Sequence, residues 1–326
     1  MIAALTAVFG ERGVRPDEPL ARHGTFGVGG PADAFVTLER EDEALALARL
    51  AREQGWPLML VGNGTNVLYA DAGARGIVAR MAIAEWSLEP LDDERTRLVA
   101  GAGVSLPKLV NDLAAKGLAG LEWGAGVPGT IGGAVVSNAG AGGACAGDTL
   151  ESARVLFTEA AAGPAIETLD APALELAYRH SRFRAARRVT FDAEGAPVAA
   201  PRGAIEPPEM IVGGSFLLRR DDPAAIRARV REHLAYRKRT QPPQKSAGSV
   251  FKNPPNDHAG RLIEAAGLRG HGFGQAEISA KHANFIVNNG GATAAEIVHL
   301  IGLARRTVRE RFGVELELEV ELRGEW

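Results

Sequence analysis

Apolar residues recur along the chain with two periods, and the two interleave from one end to the other. Alternating or continuous apolar runs predict strands at Ala34–Leu38, Pro57–Val61, Ile77–Met81, Arg97–Ala100, Arg154–Thr158, Met210–Arg219, Asn284–Val287 and Val314–Arg323. Helices are better marked, because they carry caps as well as periodicity. Ser105 precedes Leu106, Leu109, Val110 and Leu113, spaced i, i+3, i+4, i+7 on one face. Asp222 and Pro223 open a second helix through Ile226, Val230 and Leu234, which must stop before Pro242–Pro243. Thr293 and Glu296 have capping-box spacing ahead of Ile297, Leu300, Ile301 and Ala304, which predicts a helix running to Phe312. Elements mixed in this way exclude a bundle or a sandwich and indicate α/β or α+β architecture.

The pattern breaks at Glu85–Glu94, an acidic stretch that reads as irregular. It breaks again at Ala185–Met210, where Pro197, Pro201, Pro207 and Pro208 oppose regular pairing. The part from Ala193 to Met210 reads as a surface excursion not needed for folding. With 326 residues the chain can build more than one core, and its net charge of −3 gives no basic footprint for nucleic acid. A single cysteine, Cys145, excludes an internal disulfide and any multi-cysteine zinc site. No apolar run approaches the roughly 18 residues of a membrane span, and the N-terminus has no basic segment of signal-peptide type. These features predict a cytoplasmic protein. The seven histidines show no ligand spacing, so no metal is expected.

Glycine is in excess, 40 residues, and it is clustered. Gly62–Asn63–Gly64–Thr65–Asn66–Val67 follows an apolar run, where accessible backbone N–H groups make either a phosphate nest or a tight turn. No Gly-Lys-Ser/Thr follows, which removes the Walker reading. A second block contains Gly124, Gly126, Pro128, Gly129, Thr130, Gly132 and Gly133, then Asn138 and Gly140. Gly124, Gly126 and Gly129 fit the dinucleotide fingerprint, but Pro128 interrupts it and Gly132–Gly133 weakens the helix that should follow. Backbone laid against a large, flat, phosphate-bearing ligand accounts for the block better. Further on stand Tyr178–Arg179–His180–Ser181, a basic turn at Arg237–Lys238–Arg239, and Gly248–Ser249–Val250–Phe251–Lys252–Asn253–Pro254. At the C-terminus Glu315, Glu317, Glu319 and Glu321 alternate with apolar residues, which by periodicity alone is a solvated acidic face.

These blocks, in this order from about His23 to Glu319, resemble the UDP-N-acetylenolpyruvoylglucosamine reductase family, also called UDP-N-acetylmuramate dehydrogenases. The motifs that carry the resemblance are Thr25–Gly30, Gly62–Leu68, Gly126–Gly133, Tyr178–Ser181, Gly248–Pro254 and Gly260–Glu264. It implies an α+β fold: a two-subdomain FAD-binding fold of PCMH type plus a C-terminal α/β substrate domain. The corresponding division is 1–84, 85–221 and 222–313, with 314–326 returning to the first subdomain. It implies non-covalent FAD, NADPH as co-substrate and a UDP-sugar substrate of peptidoglycan precursor synthesis; charge and hydropathy give no nucleic-acid or membrane partner, and a monomer is expected. Position by position, it makes Ser249 the proton donor and sets Arg179 and Glu319 about the substrate carboxylate. FAD falls to Gly62, Asn63, Gly64, Thr65, Asn66, Val67, Gly126, Pro128, Gly129, Thr130, Gly132, Gly133, Asn138 and Gly140. Substrate contacts fall to Tyr178, Arg237, Lys252, Asn253 and His282, with Lys252 and the Arg237 cluster as the cations that poise Ser249. The wording around Ser249 is similar to a shorter form of the family that lacks a mobile tyrosine loop, although Ala193–Met210 is longer than that form usually has.

Overall fold

The computed structural model describes residues 1–185, 190–192, 197–198 and 204–326. The chain opens with α1 (Ile2–Phe9), β1 (Val14–Pro19), β2 (Pro31–Leu38), α2 (Glu41–Gln54), β3 (Leu58–Val61), β4 (Val67–Tyr69) and β5 (Ala74–Met81). It continues through β6 (Trp86–Pro90), β7 (Arg95–Gly101), α3 (Leu106–Ala115), β8 (Leu118–Ala119), α4 (Ile131–Val136), β9 (Gly140–Ala141), β10 (Ala144–Cys145), β11 (Leu150–Phe157) and β12 (Ala165–Asp170). Next come α5 (Arg182–Ala185), β13 (Thr190–Phe191), β14 (Pro197–Val198), β15 (Ile205–Glu206), β16 (Glu209–Arg220) and α6 (Pro223–Thr240). The last part holds α7 (Ala259–Ala265), β17 (Gly272–Phe273), β18 (Ala276–Ile278), β19 (Ile286–Asn288), α8 (Ala294–Phe312) and β20 (Glu321–Arg323). None of the described helices is long and apolar enough to cross a membrane.

The first sheet has the order β1-β2-β5-β3-β15, with β2, β5, β3 and β15 parallel. Its strands are nearly continuous apolar runs because both faces are covered. Ala34, Val36, Ile77 and Leu60 meet Leu47, Ala48 and Ala51 of α2 on one side; Ala32, Phe35, Val78 and Tyr69 form a second cluster on the other. The second sheet is antiparallel, β12-β11-β16-β7-β6, with α3 and α4 packed on it. Its core residues, among them Leu98, Val155, Ile211 and Phe216, are continuous with those of the first sheet. A separate core joins α7, α8, β18 and β19 to Phe26, Val28 and Leu68.

Where the helices were capped in sequence, they form within a residue of expectation. Asp222 accepts from the Ala224 amide, and Thr293 and Glu296 make the reciprocal capping box. Four expectations need correction. Glu85–Glu94 is not irregular: β6 pairs β7 in an antiparallel hairpin. Val314–Arg323 is not one strand, since only β20 is, pairing with β4 in parallel. The preceding residues run extended beside 250–252, where Lys252 N donates to Glu317 O at 2.9 Å and Glu319 N to Val250 O at 2.7 Å. Alternation survives in the burial of Leu316, Val320 and Leu322 but not in the pairing. The buried face of α6 does not belong to the third unit, because Ile226 and Val230 join the core of the first two sheets; α6 meets the third unit at its C-terminal end, where Lys281 Nζ donates to Lys238 O at 2.8 Å. Finally, Ala193–Met210 is not simply an excursion. Residues 193–196 and 199–203 lie outside those described; β15 extends the first sheet beside β3, with Ile205 buried. Nearby, Phe191 lies beneath the Arg305 guanidinium of α8, 3.4 Å from ring centroid to Cζ.

Candidate active site

The two glycine-rich blocks converge. The loop after β3 and the start of α4 line one cleft, with Gly62–Val67, Thr130, Gly132 and Gly133 on its walls. A Cβ built on Gly62 or Gly133 would meet nothing nearer than the Thr130 hydroxyl, at 3.8 and 3.9 Å, so both face open space. This is a cradle that side chains would fill, and it fits a flat, extended cofactor such as FAD. Gly64 has a different reason to be glycine: φ is 63°, and a Cβ would overlap the His23 carbonyl where the two loops cross. Gly132 packs against Ala102, with a notional Cβ 2.7 Å from the Ala102 Cβ, so here glycine serves packing as well as the ligand. The remaining wall comes from Leu60, Val61, Met81, Ala102, Val136, Ser137, Met210, Ile211, Glu321 and Arg323, none of which the sequence assigned to the cofactor.

Five of the residues assigned to the cofactor do not line the cleft. Gly126 lies against Leu234 and Arg237, Pro128 is exposed, and Gly129 abuts the Thr65 hydroxyl. The buried Asn138 side chain donates to Ala177 O at 2.9 Å and accepts from Gly147 N, also at 2.9 Å. Gly140 O accepts from Arg179 Nη2 at 2.6 Å. Asn138 and Gly140 therefore support Arg179. That residue sits at φ 50° in a tight turn closed by the paired backbones of Ala177 and His180. Its Nε meets Glu319 Oε1 at 3.1 Å, both side chains being mostly sheltered.

Glu319 is the convergence point. Its carbonyl accepts from Asn66 Nδ2 at 2.8 Å, which ties it to a residue of the cleft wall. Its amide bonds Val250 O, bringing the Ser249 backbone alongside. Burial pushes its carboxyl above the ordinary range, opposed by the charges of Arg179, Arg184 and Lys252. Ser249 is partly exposed, and its hydroxyl makes no hydrogen bond among the described residues. Lys252 Nζ is bonded to Glu317 at 2.5 Å. The acidic row is thus divided by tertiary contact. Glu317 is exposed, while Glu321 lines the cleft and pairs with the buried Arg323, which also pairs with Glu206.

Of the other substrate assignments, Tyr178 is brought to this cluster through Arg179, whereas Asn253, His282 and Arg237 are not. Asn253 Oδ1 accepts from the Ala259 amide at the start of α7. His282 Nδ1 accepts from Asn284 N, and burial lowers its pKa. Arg237 is half-buried against Gly126, its pKa also lowered by burial, and Tyr178 is exposed under the Arg179 guanidinium. Arg184 was missed altogether: buried on α5, it donates through Nη2 to Glu319 O.

The fold and cleft define a flavoprotein of the FAD-binding type, and residues 32–160 match the family described as FAD binding domain. Residues 241–323 match UDP-N-acetylenolpyruvoylglucosamine reductase, C-terminal domain. The UDP-N-acetylenolpyruvoylglucosamine reductase of Chloroflexus aggregans is 43% identical over 95% of this chain and 97% of its own. That of Moorella thermoacetica is 40% identical over 96% and 94%. The crystal structure of the Thermus caldophilus enzyme superposes with a TM-score of 0.71 at 33% identity, covering 95% of this chain and 99% of that one. The chain belongs to the UDP-N-acetylenolpyruvoylglucosamine reductase family.

Proposed function

We propose that the protein is an NADPH-dependent flavoenzyme that reduces the enolpyruvyl ether of UDP-N-acetylglucosamine to the lactyl ether, UDP-N-acetylmuramate, a peptidoglycan precursor. The observation that carries this reading is the meeting of Arg179, Glu319 and the Ser249 segment directly beside Asn66 of the cofactor cleft. Bound FAD supplies hydride transfer, from NADPH to the substrate. Reduction at C3 of the enolpyruvyl group leaves negative charge on C2 and its carboxylate. Arg179 stabilises that charge, and with Nε on Glu319 and Nη2 on Gly140 O it needs no reorientation as the charge develops. The Ser249 hydroxyl, uncommitted to other described groups, delivers the proton to C2. The unit holding α7 and α8 takes the UDP-sugar.

The same reading makes the enzyme a cytoplasmic monomer whose partners are its substrate and NADPH, with no nucleic acid or membrane partner. The near-balanced charge and single cysteine support it. The test is anaerobic. NADPH should bleach the yellow protein, and the enolpyruvyl UDP-sugar should restore the colour with one lactyl product per flavin. Colour that returns only on admitting air would reject the assignment.

A further inference from the structure

The Glu319 carbonyl receives donors from two distant parts of the chain, Asn66 Nδ2 at 2.8 Å and Arg184 Nη2. Arg184 is 8% exposed, and its Nη1 is buried without an acceptor among the described residues. A guanidinium is costly to bury when its donors are incompletely matched, so its retention there calls for a role. Its location is set from behind. The Ser181 hydroxyl donates to Val136 O at 2.5 Å and accepts from the Arg184 amide at 3.3 Å. Val136, at the end of α4, lines the same cleft as Asn66.

We infer that Arg184 is a positioning residue for the reaction. It clamps the Glu319 backbone against the cofactor loop so that the Glu319 carboxylate meets Arg179 in one geometry, and it adds a second cation behind that carboxylate. The inference rests on the reading of Arg179 and Glu319 as the groups that face the substrate carboxylate. The charged groups acting on Glu319 are Arg179 from the Ala177–His180 turn, Arg184 from α5, and Lys252 from the segment after Ser249, itself bonded to Glu317. Removing Arg184 takes away one of three cations and one of two donors to the carbonyl.

The experiment compares Arg184→Gln and Arg184→Lys in the FAD-loaded, full-length protein. Flavin content, Tm, the rate of bleaching by NADPH and the rate of colour return with substrate are followed across pH. Arg184→Gln should keep its flavin and bleach within about twofold of wild type, yet regain colour about 10–100-fold more slowly, the scale expected of a misplaced reacting geometry. Its acid limb should move to higher pH, because a lost cation favours the neutral carboxyl. Arg184→Lys should keep the wild-type limb while recovering only part of the rate, since an ammonium cannot reproduce the guanidinium fork. Wild-type colour return in Arg184→Gln would overturn the inference. So would equal losses of flavin, Tm and both rates with an unmoved limb, the pattern of a merely structural residue. Should Arg184→Gln fail to fold, Arg184→Lys decides by itself, and a wild-type rate there would refute the clamp. If wild type never regains colour with this substrate, the functional reading fails. The clamp is then judged by carbon-13 NMR titration of Glu319, whose pKa must rise in Arg184→Gln.

Discussion

Two opposing effects set the charge on Glu319. Burial raises its carboxyl, and Arg179, Arg184 and Lys252 oppose the rise without cancelling it. The folded protein then holds that proton to higher pH than the unfolded chain. The residue's contribution to stability is therefore full below the ordinary carboxylate pKa and is lost as pH rises through the raised one. Glu319→Gln removes this titration, so the Tm of the variant relative to wild type should climb as pH rises above the ordinary carboxylate range. Parallel Tm–pH curves would show that Glu319 does not titrate there. At Ser249 the chemistry separates two half-reactions. NADPH bleaching needs no proton for substrate C2, so Ser249→Ala should bleach at close to the normal rate. Colour return with substrate should slow by about 10²–10⁴-fold, the usual contribution of a positioned acid. The reverse pattern, slow bleaching and fast return, would make Ser249 a structural or NADPH-positioning residue. Glu317→Gln should change neither rate, because the Glu317 carboxylate is itself 65% exposed and solvent screens its pull on Lys252. Glu321, on the cleft wall, does not share that expectation.

At the level of elements, the cofactor cradle depends on two adjacent glycines for different reasons. Gly133 faces the cleft, whereas Gly132 presses on Ala102 beneath it. Gly133→Val should fold with nearly wild-type Tm and lose flavin, while Gly132→Val should lose Tm as well, by overpacking worth about 1–3 kcal/mol. Equal Tm in the two variants would contradict this division. It also marks the limit of what the glycine block disclosed, since a run of glycines announces close approach without naming what approaches. Helices were legible to within a residue because caps such as Asp222 and Thr293 are local chemistry. The C-terminal alternation was legible as burial and misleading as pairing: period two reports which side faces the core, not which strand lies alongside. β6 was lost among acidic residues because it is a half-exposed strand with few apolar positions. Arg184 had no local signal at all, since its partner lies 135 residues away.

At the scale of the whole molecule, the chain's end closes what its beginning opens. β20 pairs with β4, whose preceding loop walls the cleft, and Glu321 and Arg323 complete that wall. Arg323 is 4% exposed at its side chain and reaches Glu321 at 3.0 Å and Glu206 of β15 at 3.4 Å. One cation thus ties the C-terminal strand to the edge of the first sheet across the cofactor site. Arg323→Met keeps much of the volume but removes the charge shared by two carboxylates that are only 14% and 12% exposed. Removing one partner from a mostly sheltered ion pair costs up to about 3–5 kcal/mol, so in a chain of 326 residues Tm should fall by up to about 4–7 °C. Flavin retention should fall with it, because the same side chain forms part of the cleft wall. Arg75→Met is the control: its pair with Asp33 is 50% and 34% exposed, and loss of such a surface pair should cost less than about 1 kcal/mol. If Arg323→Met melts with the Arg75 variant and keeps its full flavin content, the C-terminal strand is held by backbone pairing and packing alone, and the bridge through Arg323 is dispensable.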